Sequence, residues 1–224
     1  MSLEDDITRY YAERADVYDE TAGYFNEEAE QLRAPIKDRY RQMFRGKDVL
    51  EIACGSGYWT EVLGRVAKSV LAFDITEEII SRAVERCRTL PNVRFQIADA
   101  YTLGGVPGGF GAAVAIWWWS HVPKEKIRQF LTALHTKLAP GALVMFVDQL
   151  PYEGFIRTTD DGGNTLEVRE LPDGRTFSIV KNFPAEQEIR DALADFAGDI
   201  RYTERPAEGN WEVVYTSLSQ PGGD

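Results

Sequence analysis

Val49-Leu50-Glu51-Ile52-Ala53-Cys54-Gly55-Ser56-Gly57-Tyr58-Trp59-Thr60 is the stretch on which the fold turns. Val49 to Ile52 reads as a buried strand. Two glycines open a loop, and a helical pattern starts at Tyr58. Gly55 and Gly57 carry no Cβ, so backbone here approaches a ligand closely. The helix N-terminus beyond favours a negatively charged group. Glu51 precedes the glycines, where a carboxylate reaches a cationic or hydrogen-bond-donating ligand. A dinucleotide-binding loop reads G-x-G-x-x-G. Here Ala53 holds the first position, and a carboxylate before the loop repels a pyrophosphate.

Outward from the loop, residues 47–150 alternate short apolar runs with helical patterns. The runs lie at 48–53, 69–74, 92–99, 111–117 and 142–148. This alternation predicts βαβ units and a parallel sheet. Thr76 is placed to cap a helix over 76–89, with Glu77 and Glu78 in its first turn. Ile79, Ile80, Ala83, Val84 and Cys87 share the core-facing spacing of that helix. Pro123 suits the first turn of a helix running to Leu138, and Pro140-Gly141 ends it. Residues 1–46 read as helical, with Ile7, Tyr10, Tyr11, Arg14 and Tyr18 at helical spacing. They are rich in aromatics, Tyr24 and Phe25 among them, and Pro35 is expected to interrupt or restart the stretch from Asn26 to Phe44. Residues 151–183 carry a β-hairpin around Pro172-Asp173-Gly174. Residues 184–224 supply a helix and two strands, then a frayed Pro221-Gly222-Gly223-Asp224 tail. The whole reads as one domain over 1–224.

The balance of 25 basic and 36 acidic residues gives a net charge of −11. Nucleic-acid binding draws its affinity from neutralised phosphates, so neither a polynucleotide nor an anionic membrane is expected as partner. Two cysteines, Cys54 and Cys87, and two histidines, His121 and His135, exclude a cysteine-based zinc cluster and disfavour a metal site. The acidic N-terminus lacks an apolar core and reads as no signal peptide. The longest apolar run is too short for a membrane span. A cytoplasmic protein is the expectation.

The loop resembles the acid-x-G-x-G-x-G loop of class I S-adenosylmethionine-dependent methyltransferases, with Ala53 in place of the first glycine. The resemblance covers roughly residues 45–150 closely and the C-terminal strand pair loosely. It implies an α/β fold: a Rossmann-like three-layer sandwich on a seven-stranded, mostly parallel sheet with an antiparallel last strand. An N-terminal helical cap and the inserted β-hairpin complete it. It implies S-adenosylmethionine as cofactor and S-adenosylhomocysteine as product, bound at the carboxyl ends of the strands. Glu51, Ala53, Gly55 and Gly57 match the cofactor loop. Asp74, ending the second strand, matches the acid that binds the ribose hydroxyls, and Ile75 borders the adenine. Asp99 matches the acid on the adenine amino group, with the backbone N–H of Ala100 or Tyr101 on the ring. Tyr10, Tyr11 and Arg14 fall where an N-terminal helix reaches the methionine carboxylate. The hairpin at 165–181 is expected to help cap the acceptor pocket.

Trp117-Trp118-Trp119-Ser120-His121 follows the fourth strand, where the family places residues between cofactor and acceptor. An aromatic face stabilises a cation, and a sulfonium is a cation, so Trp117 is expected to contact the cofactor. Strand alternation would point Trp117 and Trp119 one way and Trp118 the other. Trp118, Trp119 and His121 are candidates for the acceptor pocket. His121 is the leading candidate base and Asp148 the second; neither is needed unless the nucleophile carries a proton. Cys54 and His135 read as structural. The expected reaction is methyl transfer to O or N, less readily C or S, of a small molecule. A non-catalytic S-adenosylmethionine-binding module and a nicotinamide-dependent oxidoreductase are the alternatives.

Overall fold

The computed structural model describes residues 3–24 and 26–218, with side chains from Asp6 onward; Phe25 and the Pro221–Asp224 tail lie outside the described residues. The cap comprises α1 (Leu3–Arg14), a 3-10 turn (Ala15–Val17), α2 (Tyr18–Thr21) and α3 (Glu27–Phe44). The core follows as β1 (Asp48–Ile52), α4 (Tyr58–Gly64), β2 (Ser69–Asp74), α5 (Glu77–Arg86), β3 (Val93–Ile97), β4 (Phe110–Ile116), α6 (Ile127–His135) and β5 (Leu138–Gln149). Next come β6 (Arg157–Thr159), β7 (Thr165–Glu170), β8 (Thr176–Val180), α7 (Glu186–Leu193), β9 (Ala197–Arg205) and β10 (Asn210–Ser217).

The seven-stranded sheet runs β3-β2-β1-β4-β5-β10-β9. The pairings from β3 to β5 are parallel, and β10 is antiparallel to both β5 and β9. Central strands β1 and β4 are buried on both faces, which is why β4 reads as an unbroken apolar run and β1 as one interrupted by Glu51. On one face Leu50, Phe73 and Phe146 pack against Phe130 and Leu134 of α6 and Leu193 of α7. On the other, Val49, Val114 and Met145 meet Tyr40, Trp59, Leu63 and Ile79. The strand order reverses between β1 and β4, and a crevice opens there at the strands' carboxyl ends.

Several local expectations need correction. Pro35 neither breaks nor restarts α3, which runs through it; the proline is exposed, so water reaches the carbonyl it leaves unbonded. Thr76 occupies the N-cap of α5 without a side-chain capping bond, and Val84 faces solvent. α6 starts at Ile127, after a 3-10 turn, and ends at His135, so Pro140-Gly141 lies within the first residues of β5. The insertion holds a third strand, β6, beside the expected hairpin of β7 and β8.

α1 lies on the inserted sheet. Tyr10 packs on Phe177 with ring centroids 5.6 Å apart, and Glu13 pairs with Arg175. Further on, Asp16 pairs with Arg82 and Asp19 with Arg86, while Ser56 donates to Asp19. The cap is thus tied to α5 and to the glycine loop. No helix among the described residues is long and apolar enough to cross a membrane.

Candidate active site

The glycine loop is shaped by its backbone. Gly55 and Gly57 adopt φ of 54° and 79°, and Gly57 is the N-cap of α4. A Cβ on Gly55 would sit 3.1 Å from the Tyr18 hydroxyl, so the cap closes directly over the loop. Ala53 and Trp117 also hold left-handed φ, 51° and 57°. Such strain in non-glycine residues concentrates at functional sites, and both residues line one cavity.

That cavity is bounded by Ala53 and Gly55, by Asp74 and Ile75, by Asp99, Ala100 and Tyr101, and by Trp117, Trp118 and His121. Ile7, Thr8, Tyr11 and Tyr18 roof it from the cap. The Asp74 carboxylate accepts from the Gly55 N–H at 2.8 Å and from its neighbour Ile75 N–H at 2.8 Å. Burial raises its pKa, and these two bonds offset part of the rise. Asp99 accepts from the Tyr101 N–H at 2.8 Å. Among the described residues, two carboxylates and no lysine or arginine line this cavity. It therefore suits a ligand that donates hydrogen bonds through hydroxyl and amino groups.

A second cavity lies against the first. Tyr11, Tyr18, Trp117 and His121 line both and form their common wall. The His121 Nδ1–H donates to the Val180 carbonyl at 2.8 Å. Its Nε2 therefore carries the lone pair and accepts from the Tyr11 hydroxyl at 3.0 Å. Burial, reinforced by the Lys181 charge, pulls the His121 pKa down to about 3, so the ring is neutral. Burial raises the Tyr11 and Tyr18 phenols well above their ordinary value, and both stay protonated.

Other expected site residues are placed differently from the expectation. Tyr10 turns away from the cofactor cavity, into the cluster with Leu171, Phe177 and Ile179. Arg14 lines the second cavity rather than the first. Gly57 lies behind the loop, against Ala83. The strand ends at Ile116, and the left-handed turn at Trp117 breaks the alternation expected of the three tryptophans. Trp118 and Trp119 consequently pack on the same residue, Phe130. Trp118 reaches the first cavity, whereas Trp119 is core. Asp148 is wholly buried and lines neither cavity, so it is not open to an acceptor. Its carboxylate accepts from the Ser120 N–H and pairs with Lys181.

Glu51 is buried beneath the loop, and its Oε2 has no hydrogen-bond partner among the described residues. Burial raises its pKa to about 8. The folded state thus holds a proton that the unfolded chain releases near the ordinary glutamate value of 4.5. This group's contribution to stability falls as pH rises between those values and levels off above the upper one. In urea unfolding at pH 5 and pH 8, Glu51→Gln is expected to lose less stability with rising pH than the wild type. Equal losses would overturn the assignment.

Comparison with known proteins identifies the family of the chain. Residues 49–141 match the model of a methyltransferase domain. The ubiquinone biosynthesis O-methyltransferase of Methylococcus capsulatus is 30% identical over 104 residues, 45% of this chain and 43% of that one. A protein-L-isoaspartate O-methyltransferase of Polaromonas is 31% identical, over 56% of this chain and 58% of that one. The chain spans about half the length of these curated relatives. DhpI, solved as a complex with S-adenosylhomocysteine, aligns with a TM-score of 0.75 and 30% identity, covering 97% of this chain and 98% of DhpI. The chain belongs to the class I S-adenosylmethionine-dependent methyltransferases. Membership sets aside the nicotinamide reading. The residues present fit S-adenosylmethionine: Asp74 and Asp99 are acceptors at the cavity, and the Glu51 Oε2, without a partner among the described residues, lies beneath it. Sequence reading did not assign Phe73 or Tyr18 to this cavity, nor Tyr24, Arg33, Arg169 and Lys181 to its neighbour.

Proposed function

We propose that the chain transfers a methyl group from S-adenosylmethionine to an O or N atom of a small-molecule acceptor. The observation that carries this reading is the common wall: an acceptor in the second cavity meets the cofactor across Tyr11, Tyr18, Trp117 and His121. When bound, S-adenosylmethionine supplies a methyl group on a cationic sulfur, which keeps the bonding electron pair as the acceptor's lone pair takes the carbon. The chain's residues then have to align the acceptor and exclude water. Asp74 holds ribose hydroxyls and Asp99 the adenine amino group. Trp117 presents an aromatic face to the sulfonium. His121 offers Nε2 to the acceptor in place of the Tyr11 hydroxyl. A base works best with a pKa near the working pH, and His121 lies far below that, so its chief role is to orient the acceptor. The reading treats residues 1–224 as one catalytic unit acting in the cytoplasm, a compartment that suits two free, buried cysteines.

Calorimetry with S-adenosylhomocysteine, and NAD as control, tests the cofactor half. Binding of the former alone is expected. Asp74→Ala should weaken it by about 1–3 kcal/mol, the scale for leaving a buried polar partner unmatched; unchanged affinity removes the ribose assignment. The acceptor half is tested by S-adenosylhomocysteine release across a panel of O- and N-nucleophiles. His121→Ala should slow release by about tenfold, one hydrogen bond's worth, and leave S-adenosylhomocysteine affinity as it was. Full turnover in that variant would take His121 out of the mechanism.

A further inference from the structure

The second cavity reverses the charge of the chain. The protein carries a net −11, yet four cations, Arg14, Arg33, Arg169 and Lys181, line this chamber. Its carboxylate, Glu208, is already held by Arg39 at 2.8 Å. The adjoining cofactor cavity shows the opposite pattern, Asp74 and Asp99 with no lysine or arginine among the described residues.

Two of the cations, Arg14 and Arg33, are held by neutral acceptors, and the carboxylates beside the other two leave the chamber a positive excess. Arg33 donates to the carbonyls of Gly23 at 2.9 Å and Ala22 at 3.3 Å. Arg14 donates to the Thr21 hydroxyl at 2.8 Å and lies over the Tyr18 ring. Neither forms an ion pair among the described residues. Lys181 is almost wholly buried; its Nζ lies 2.7 Å from the Ser120 hydroxyl and 3.4 Å from Asp148. Arg169 pairs with Glu167 at 2.5 Å, but the same buried carboxylate also binds Arg157 at 2.8 Å. Two cations on one carboxylate leave a net positive charge. The Arg169 Nε–H is buried without a partner among the described residues. Like charges gathered around one chamber repel, and a planar guanidinium matches the paired oxygens of an oxyanion.

We infer that this chamber seats an oxyanion of the methyl acceptor on Arg169 and Lys181, and that Glu167 is a positioning residue that aims Arg169. The inference rests on the chamber being the acceptor site. An acceptor with a carboxylate or phosphoryl group satisfies it; a neutral or cationic amine does not.

The test titrates inorganic phosphate into protein saturated with S-adenosylhomocysteine, so any cation used by the cofactor's own carboxylate is already occupied. Saturable phosphate binding is expected, and none of trimethylammonium. Arg169→Gln should weaken phosphate at least tenfold and leave S-adenosylhomocysteine affinity unchanged. Glu167→Gln separates two roles by sign. Removing a negative charge alone would tighten phosphate, whereas loss of aim weakens it; weakening is expected, with partial recovery in Glu167→Asp. Three results would overturn the inference: no saturable phosphate binding, phosphate affinity indifferent to Arg169→Gln, or competition between phosphate and S-adenosylhomocysteine. The last would assign the cations to the cofactor. Failure of S-adenosylhomocysteine to bind at all would remove the functional reading itself, and the inference with it.

Discussion

Lys181→Met should destabilise the fold by about 3–5 kcal/mol, the scale for breaking a buried ion pair on one side. Asp148 is fully buried, and Lys181 is the cation beside it, 3.4 Å away. Methionine has a similar reach but no charge. The carboxylate keeps the N–H groups of Ser120 and Gln149, at 2.8 and 2.7 Å, which holds the loss to the lower part of that range. The control is the double variant Lys181→Met/Asp148→Asn, which removes both charges and should recover most of the stability. Urea unfolding of the three proteins makes the comparison. A single variant as stable as wild type would mean that water or a relaxed backbone already serves Asp148.

Gly57→Ala comes next in size. A Cβ there would sit 2.9 Å from the Ala83 Cα and 3.0 Å from its Cβ. Both neighbours are rigid, because Ala83 is a buried residue of α5. The left-handed φ of 79° adds its own strain, roughly 1–2 kcal/mol for an L-residue, and forced overpacking adds about 1–3 kcal/mol. The expected loss of about 3 kcal/mol lowers the melting temperature by roughly 6–12 °C for a domain of this size. Gly55→Ala shares the positive φ but meets the tip of the Tyr18 side chain. Its main effect should fall on cofactor affinity. A Gly57→Ala protein that melts within about 2 °C of wild type would show that α5 yields more easily than its burial implies.

The two glycines differ in how far the sequence could reveal them. The strand, loop and helix around Gly57 were readable because β1 and β4 are buried on both faces and leave apolar runs, the one in β1 interrupted by Glu51. Asp74 and Asp99 were readable because one ends a strand and the other sits just past one, where the topology brings side chains to one crevice. The parallel core was legible from the alternation of apolar runs and helical patterns, whereas the antiparallel β10 was implied by the resemblance alone. The second cavity was not. Arg33 comes from α3, whereas Arg169 and Lys181 come from the β7–β8 hairpin far along the chain, and nothing in local periodicity shows that the helix and the hairpin meet. Lys181 did carry a weak signal, a lone charge closing the apolar run Phe177 to Val180. Trp119 misled because strand alternation was carried past Ile116, where the backbone had already turned. Asp148 misled because its position at the carboxyl end of β5 is shared by buried and exposed acids alike, and here Ser120 and Lys181, distant in sequence, close against it.

The common wall also divides the chain by inheritance. The segment that matches the methyltransferase-domain model, 49–141, supplies most of the first cavity. Of the second cavity's lining it supplies Trp117 and His121 alone; the rest comes from residues 11–36 and 149–208. Mutations in those flanking segments, outside the cap residues that line the first cavity (Ile7, Thr8, Tyr11 and Tyr18), can re-dress one chamber and leave the lining of the other unchanged. A lineage built on this plan is free to explore new chemistry at one door while the machinery behind the other is handed down intact.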